Sequence, residues 1–580
     1  MTTPHQQYQQ ADGPLPEQNW TWNMYGAGVE SIGRENAPEA FGVPEPGDEQ
    51  ILVRVDAVGL CFSDVKLITQ GGAHPKLYNR DLKIEPTRLG HEATLTVIKV
   101  GEKLKAQFKP GERYAMQPDI YQNGKSTAYG YTVPGGLIQY HLIGPEVLET
   151  DTGSCLLKVS ERMGFAEAAL LEPWGCVWAA YTQRRRLQPK QGGSMWIVGQ
   201  PGDKRSYSYS SGLDAPALIV VSDISAQLRS LLAQSGARIV ERNALEVDDY
   251  AALAAEFTDG KGFDDIVVLA PRSAKKLSAI ARQVARRGTM NMVGNEPLDG
   301  LVDADVGRLH YDYVAFIGNR GEDIAASYGE ARNRCDLRPG GTAVFVGAGG
   351  PMGQMHAQRA IELPDGPKLV IVSDINERRL QEMESRFTPL AEANGCKVLI
   401  FNPLSADVSF HDFVLQANGG KGADDVVVCV PNAGLMEESA TFMNADGMLV
   451  LFAGVPNGTL APLEFSSVYL HNAQYTGTSG LTIEDQSQVM ESALKGAIAP
   501  ALSVAAIGGM RVAQEGIKAM MESRYPGKVL IFPQLLDLPL LALDELDRTM
   551  PEVAAKLGPG NSWSHEAEAA LFDRCLAQAK

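Results

Sequence analysis

GKGFDDIVVLAP at residues 260–271 returns as GKGADDVVVCVP at residues 420–431, an offset of 160. Other pairs keep the same order around it. IVVSDIS (219–225) matches IVSDIN (371–376), and RGTMNMVGNEP (287–297) matches DGMLVLFAGVP (446–456). Leu309-His310 matches Leu470-His471, and Gly318 matches Gly477. The pieces centre on short apolar runs closed by Gly, Pro or Asp, and helix-like stretches separate them. That alternation is the pattern of a parallel α/β sheet. A self-similar order held over this many positions predicts one nucleotide-binding-type α/β domain duplicated in tandem, at residues 191–330 and 339–480.

The second copy opens with AVFVGAGGPMGQ (343–354). An apolar strand runs into Gly347, Gly349, Gly350 and Gly353, with Pro351 and Met352 before the last glycine. Glycines there allow a tight turn and close approach of backbone to a pyrophosphate, at a helix N-terminus whose amides and dipole favour the anion. Asp374 ends the next strand, about 20 residues on, where a carboxylate takes the adenosine ribose hydroxyls. An acid at that point disfavours a 2′-phosphate, so NAD is expected over NADP. Arg378 and Arg379 close behind keep NADP open. The first copy opens with MWIVGQPGDKRSYSYSSG (195–212), and its turn keeps only Gly199 and Gly202. Asp223 stands where Asp374 does. This copy reads either as degenerate, kept for packing or oligomerisation, or as a second nucleotide or phosphate site using Lys204 and Arg205.

Ahead of the repeat the rhythm changes. ILVRVDAVGL (51–60), ATLTVIKVGE (93–102) and KPGERYAM (109–116) read as short strands and turns, which predicts a mainly β domain over 21–190. The polar, Gln-rich residues 1–20 read as a flexible tail. Beyond 480, ESRYPGKVLIFP (522–533) reads as a turn into a strand, so residues 481–535 are expected to complete the β domain. The last segment, 536–580, is helical and acidic and reads as a surface appendage.

At roughly 100–200 residues per domain, 580 residues suggest three or four domains. The formal net charge of -18 argues against a nucleic-acid binder, which needs a basic surface to displace counterions. Seven scattered cysteines, an odd number without regular spacing, fit a reducing compartment rather than a disulfide framework. No signal-peptide core and no run of about 20 apolar residues is present, so a cytoplasmic protein without a membrane span is expected.

Three short stretches each offer a zinc ligand: Cys61 in GLCFSD (59–64), His91 in LGHEA (89–93) and Glu172 in LEPWGC (171–176). Catalytic zinc takes about three protein ligands from Cys, His and Asp/Glu and keeps a further position open. Singly, each residue reads as readily as a buried thiol, a packed histidine or a helix-capping acid. The set stands in order ahead of a dinucleotide-type domain.

On Gly59-Leu60-Cys61-Phe62-Ser63-Asp64, Gly90-His91-Glu92 and Glu172-Pro173, the chain resembles the zinc-dependent medium-chain dehydrogenase/reductase family, in its polyol or sorbitol dehydrogenase-like branch. GTSGLTIED (477–485) and PGKVLIFP (526–533) are similar to that family too. The resemblance implies an α/β protein, with a GroES-like mainly-β catalytic domain beside two Rossmann-type, doubly wound parallel sheets. It implies one catalytic zinc held by Cys61, His91 and Glu172, with Glu92 as an exchanging ligand. Ser63 would pass the substrate proton outward, and Asp64 would hold the His91 ring. It places NAD on the glycine turn, Asp374 and Arg379, with Gly477 and Ser479 beside the nicotinamide carboxamide. The family's structural zinc needs four Cys in a lobe that has none here between Cys61 and Cys155, so no structural zinc is expected. The insert QGGAHPKLYNRDLKIEPTR (70–88) is placed at the substrate entrance. A homo-oligomer, dimer or tetramer, is expected.

The activity implied is reversible hydride transfer between NAD and a secondary alcohol of a polyol, sugar or sugar phosphate. Two other readings stay open at this point. One is an epimerase or lyase that retains its NAD and oxidises a sugar-like substrate transiently. The other is a non-enzymatic scaffold on a dehydrogenase fold.

Overall fold

The computed structural model describes residues 2–11 and 13–578. Two compact units are present, residues 1–179 with 480–580, and residues 180–479.

The first unit is built on an eight-stranded sheet. Its central strand, Ile51–Gly59, is rich in β-branched residues and buried along its whole length. It runs antiparallel to Glu92–Val100, Tyr140–Ile143 and Lys528–Phe532, with Gly59 opposite Leu530 and Val58 opposite Ile531. Lys528–Phe532 in turn pairs in parallel with Val504–Gly509. Segments from the two ends of the chain thus close one sheet over one core, which includes Val53, Val55, Leu95, Val97, Val529 and Ile531.

Both chain ends depart from the sequence expectation. Residues 1 and 12 of the expected flexible tail lie outside the described residues, but Pro4–Gln10 is a helix with a capping box at Thr3. His5 is buried, its backbone N–H donates to Asp573 Oδ1 (2.7 Å), and the Tyr8 hydroxyl donates to Asp56 Oδ1 (2.6 Å). A polar composition hid these two anchoring side chains. The expected C-terminal appendage is also built in. Ala567, Leu571 and Phe572 of the helix His565–Gln578 are fully buried. Glu568 accepts from the backbone N–H groups of Phe165 (2.5 Å) and Ala166 (2.8 Å). These open the helix Phe165–Ala169, whose own cap residue, Gly164, has no side chain to offer.

The second unit holds the duplicated sheets. In the first copy the strands are β1 (Ser194–Val198), β2 (Leu218–Ser222), β3 (Arg238–Glu241), β4 (Phe263–Leu269), β5 (Val284–Val293), β6 (Val302–Asp305) and β7 (Ala315–Asn319). In the second they are β8 (Thr342–Val346), β9 (Leu369–Ser373), β10 (Lys397–Phe401), β11 (Ala423–Val428), β12 (Met443–Leu451), β13 (Leu460–Leu463) and β14 (Gln474–Gly477). The sheets have the same doubly wound order, β3-β2-β1-β4-β5-β7 and β10-β9-β8-β11-β12-β14, and every pairing in them is parallel. The remaining strands, β6 and β13, pair antiparallel and join the copies, with Val302 opposite Leu463 and Asp305 opposite Leu460. One apolar core runs through both.

The repeated Asp-Asp pair has a structural task. Asp264 accepts from Ser194 N–H (3.0 Å) and Asp424 from Thr342 N–H (2.8 Å), fastening the first strand of each copy. Asp265 pairs with Arg186 (3.0 Å) and Asp425 with Arg334. Among the described residues no helix is long and apolar enough to cross a membrane.

Candidate functional site

In the first unit the strand Ile51–Gly59 ends where the site begins. At Gly59 the missing side chain leaves room for the Glu92 carboxylate, since a Cβ there would collide with Glu92 Oε2. Cys61 follows as the cap of the helix Phe62–Gln70, and its N–H donates to Asp64 Oδ2 (3.1 Å). On the neighbouring strand Gly90 has φ +93°, and a Cβ there would meet Val58 at 2.8 Å. This turn delivers His91 and Glu92. The ligand atoms of Cys61, His91 and Glu92 all lie within 4.8 Å of one another.

Behind His91, Asp64 is fully buried, with Oδ1 3.2 Å from His91 Nδ1. An acceptor there fixes the proton on Nδ1 and leaves Nε2 as the donor atom for a metal. Ser63 Oγ lies 3.2 Å from His91 Nε2 and 3.1 Å from Cys61 Sγ. Burial works against a charged His91, but Asp64 and Cys61 outweigh it and hold the imidazole well above its usual range.

Glu92 is tethered from the far end of the chain. Lys528 donates to Glu92 Oε1 in a buried ion pair, while Glu92 Oε2 is buried without a partner. Glu172, on the helix Leu171–Ala179, is buried and stands beside the three-residue group rather than within it. Burial pushes its carboxyl up to about 7, with His91 and Lys528 opposing and Glu92 and Asp119 adding to the shift. The Cys176 thiol donates to Glu172 Oε1 (3.8 Å). Burial and then Glu172, Asp119 and Cys61 drive that thiol up. A buried knot of acids and thiols with an orphan carboxylate oxygen calls for a cation. Thiolate, imidazole and carboxylate together are the donor set of zinc. The residues fit.

Sequence reasoning missed Lys528, Asp119, Cys176 and Tyr131. Lys528 lies in the PGKVLIFP run, where the family likeness gives the lysine no task. The Tyr131 ring centroid is 6.0 Å from that of His91. The insert after Gln70 reaches the same ring, with His74 at 5.2 Å and Lys76 Nζ at 5.7 Å. Lys76 also pairs with Asp119 (2.7 Å).

In the second unit, β8 ends at Val346 and Gly347 follows with φ +66°, where a Cβ would collide with Val430. A Cβ on Gly349 would lie 2.6 Å from Asp374 Cγ, and one on Gly353 would strike Ala348. Gly350 caps the helix Pro351–Glu362, which contains Met352. Asp374 is buried past the end of β9; its carboxylate accepts from Gly349 N–H (2.8 Å) and Asn376 N–H (2.9 Å). Arg379 follows in the helix Glu377–Ala393, and its Nε is buried without a partner. Gly477 closes β14, the Thr478 hydroxyl after it is buried without a partner, and Ser479 comes next. Glycine backbone at a 12-residue helix start, a carboxylate on the next strand and an orphan hydroxyl fit a dinucleotide.

The first copy is built differently at this point. No helix stands between β1 and β2. Arg205 turns to Asp203 (3.3 Å), the Val293 carbonyl (3.2 Å) and the Tyr207 ring (5.0 Å), while Lys204 is exposed. Asp223 accepts from Ala244 N–H (3.1 Å). A cavity of about 300 Å³ remains at the strand ends, lined by Gly199, Asp223, Leu245 and Lys276 among others.

The alcohol dehydrogenase GroES-like domain family matches residues 47–150. A mannitol-1-phosphate 5-dehydrogenase of Aliivibrio fischeri is 30% identical over 545 residues, covering 92% of this chain and 94% of that protein. An L-sorbose 1-phosphate reductase of Klebsiella pneumoniae is 23% identical over 538 residues, with the same coverage of 92% and 94%. Human sorbitol dehydrogenase is 32% identical over 149 residues, 23% of this chain and 38% of that protein. Among solved structures, the crystal structure of AibC superposes with a TM-score of 0.50 at 15% identity, covering 89% of this chain and 96% of that one, a likeness of fold.

Proposed function

The chain belongs to the zinc-dependent medium-chain dehydrogenase/reductase family, the zinc-type alcohol dehydrogenases, and from that premise we propose that it oxidises a secondary alcohol of a polyol or sugar phosphate with NAD, reversibly. The reaction would take a hydride from the carbinol carbon and a proton from the hydroxyl, with NAD as the hydride acceptor, giving ketone, NADH and H⁺. The buried group of Cys61, His91 and Glu92, with Asp64 behind the imidazole, carries the reading.

Cys61, His91 and Glu172 would hold zinc, with Glu92 exchanging into the set. Bound there, zinc lowers the pKa of an alcohol and polarises a carbonyl. Ser63 is the group that passes the hydroxyl proton outward, since its Oγ touches both Cys61 Sγ and His91 Nε2. Asp64 orients His91, and Lys528 restrains Glu92 by one oxygen. The glycine turn at 347–353 and Asp374 would hold NAD; the acid works against a 2′-phosphate, so NAD is preferred to NADP. The phosphorylated class is favoured by Lys76, brought by the insert to the ring beside His91. We place the protein in the cytoplasm, where its seven free thiols stay reduced.

The test is NAD reduction with a panel of polyols, sugars and their phosphates, with and without a chelator. Turnover that the chelator abolishes and added zinc restores is expected. Turnover indifferent to the chelator overturns the zinc-assisted mechanism.

A further inference from the structure

The two Rossmann-type copies touch reciprocally. A Cβ on Gly477 would lie 2.9 Å from the Leu309 carbonyl and 3.0 Å from His310 Cα. Its repeat-mate Gly318 abuts Tyr469, the residue before Leu470-His471, with a Cβ there 2.6 Å from Tyr469 Cβ. Since Gly318 matches Gly477 and Leu309-His310 matches Leu470-His471, the same patch meets itself across an internal pseudo-two-fold, as in an isologous interface.

One contact breaks that symmetry. Counted back from the two matched glycines, Tyr313 occupies the place of Asn472. Both have left-handed backbone, φ +53° at Tyr313 and +69° at Asn472. Asn is an ordinary choice there, whereas a bulky aromatic is strained. Strain that persists is held by its surroundings and points to a task. The Arg287 guanidinium lies 4.8 Å from the Tyr313 ring centroid, and Arg287 N–H donates to Asp312 O (2.7 Å). The Tyr313 hydroxyl donates to the Ser479 carbonyl and accepts from Ser479 N–H (3.4 Å). Next to these bonds, Thr478 keeps its buried hydroxyl unpartnered. His310 Nδ1–H donates to the Leu451 carbonyl (3.1 Å) at the end of β12.

We infer that the first copy acts as a fixed half of the second copy's cofactor site, with Tyr313 as a positioning residue that anchors Ser479 and so aims the 477–479 segment at the nicotinamide end of the dinucleotide. The inference rests on the cofactor reading above and on the place beside the carboxamide that the family resemblance gives Gly477 and Ser479. It accounts for a copy that has lost its own glycine turn yet keeps a full sheet. The strand edge, the His310 contact and the tyrosine are what the second copy uses.

NADH and ADP-ribose separate this role from a general packing role, because ADP-ribose lacks the nicotinamide. Titration calorimetry on the full chain, wild type against Tyr313→Phe and Tyr313→Asn, reads both. Both variants are expected to bind NADH about tenfold more weakly, the loss of about one hydrogen bond, and ADP-ribose within about twofold of wild type. Equal weakening of both ligands, or no weakening of NADH, overturns the inference. A wild-type protein that binds neither ligand overturns the cofactor reading itself, and this inference with it.

Discussion

Lys528 and Glu92, 436 residues apart in sequence, form a buried ion pair that leaves the second Glu92 oxygen free beside Cys61 and His91. Burial disfavours a charged Lys528, yet Cys61, Glu92 and Glu172 outweigh it and keep the ammonium charged. Removing one partner of such a pair strands a buried charge and costs about 3–5 kcal/mol. Lys528→Met is expected to lower the melting temperature by several degrees. Lys528→Met with Glu92→Gln is expected to recover part of that loss, because no charge is then stranded. Scanning calorimetry of the single and double variants checks this, and a double variant no more stable than Lys528→Met alone contradicts it.

In the proposed zinc site, two carboxylates compete for the third ligand position. Glu92 sits with Cys61 and His91, and Glu172 stands beside them on its own helix. Metal content by plasma mass spectrometry after dialysis sorts them. Cys61→Ser and His91→Ala are expected to emerge without zinc, Glu172→Gln with most of it lost, and Glu92→Gln with most of it retained. Zinc loss that is larger in Glu92→Gln than in Glu172→Gln would assign the position to Glu92.

Lys76 is the basic group that the insert places over Tyr131. If it receives the substrate phosphate, Lys76→Ala is expected to raise KM for a polyol phosphate about tenfold, the worth of one charge-assisted contact. KM for the unphosphorylated polyol should stay within about twofold. Initial rates on the two substrates decide it, and a parallel rise in both contradicts a phosphate contact.

Asp374 presses against Gly349, and in the proposed cofactor site its carboxylate would stand where a ribose 2′-phosphate falls. Asp374→Ser removes the negative charge. The ratio of kcat/KM for NADP to that for NAD is expected to rise about tenfold or more, about 1.4 kcal/mol. An unchanged ratio means that the acid does not set cofactor choice.

Burial, and then the charge of Glu568, pushes the Glu167 carboxyl up to about 7. The native state therefore holds a proton that the unfolded chain releases at the ordinary carboxylate range. The stability this contributes is full below that range and is lost as pH rises through about 7. Glu167→Gln cannot ionise, so its melting temperature is expected to fall less than that of wild type between pH 5 and pH 8. Melts at the two pH values test the sign.

The sequence determined whatever rests on short-range pattern. Strand runs closed by glycine and aspartate announced the two sheets, because side-chain periodicity and backbone permissiveness act within a few residues. GLCFSD, LGHEA and LEPWGC carry the residues proposed to hold the metal, and Gly349 and Asp374 those proposed for the cofactor turn. Only the tertiary structure decided how distant groups meet. It docked the helix Pro4–Gln10 on the helix His565–Gln578, through Asp573 and the packing of Tyr8 on Phe572. It brought Lys528 to Glu92, seated Glu92 ahead of Glu172 beside Cys61 and His91, and set Tyr313 of one copy on Ser479 of the other. Those meetings are fixed by strand pairing and burial across hundreds of residues, and no local spacing encodes them.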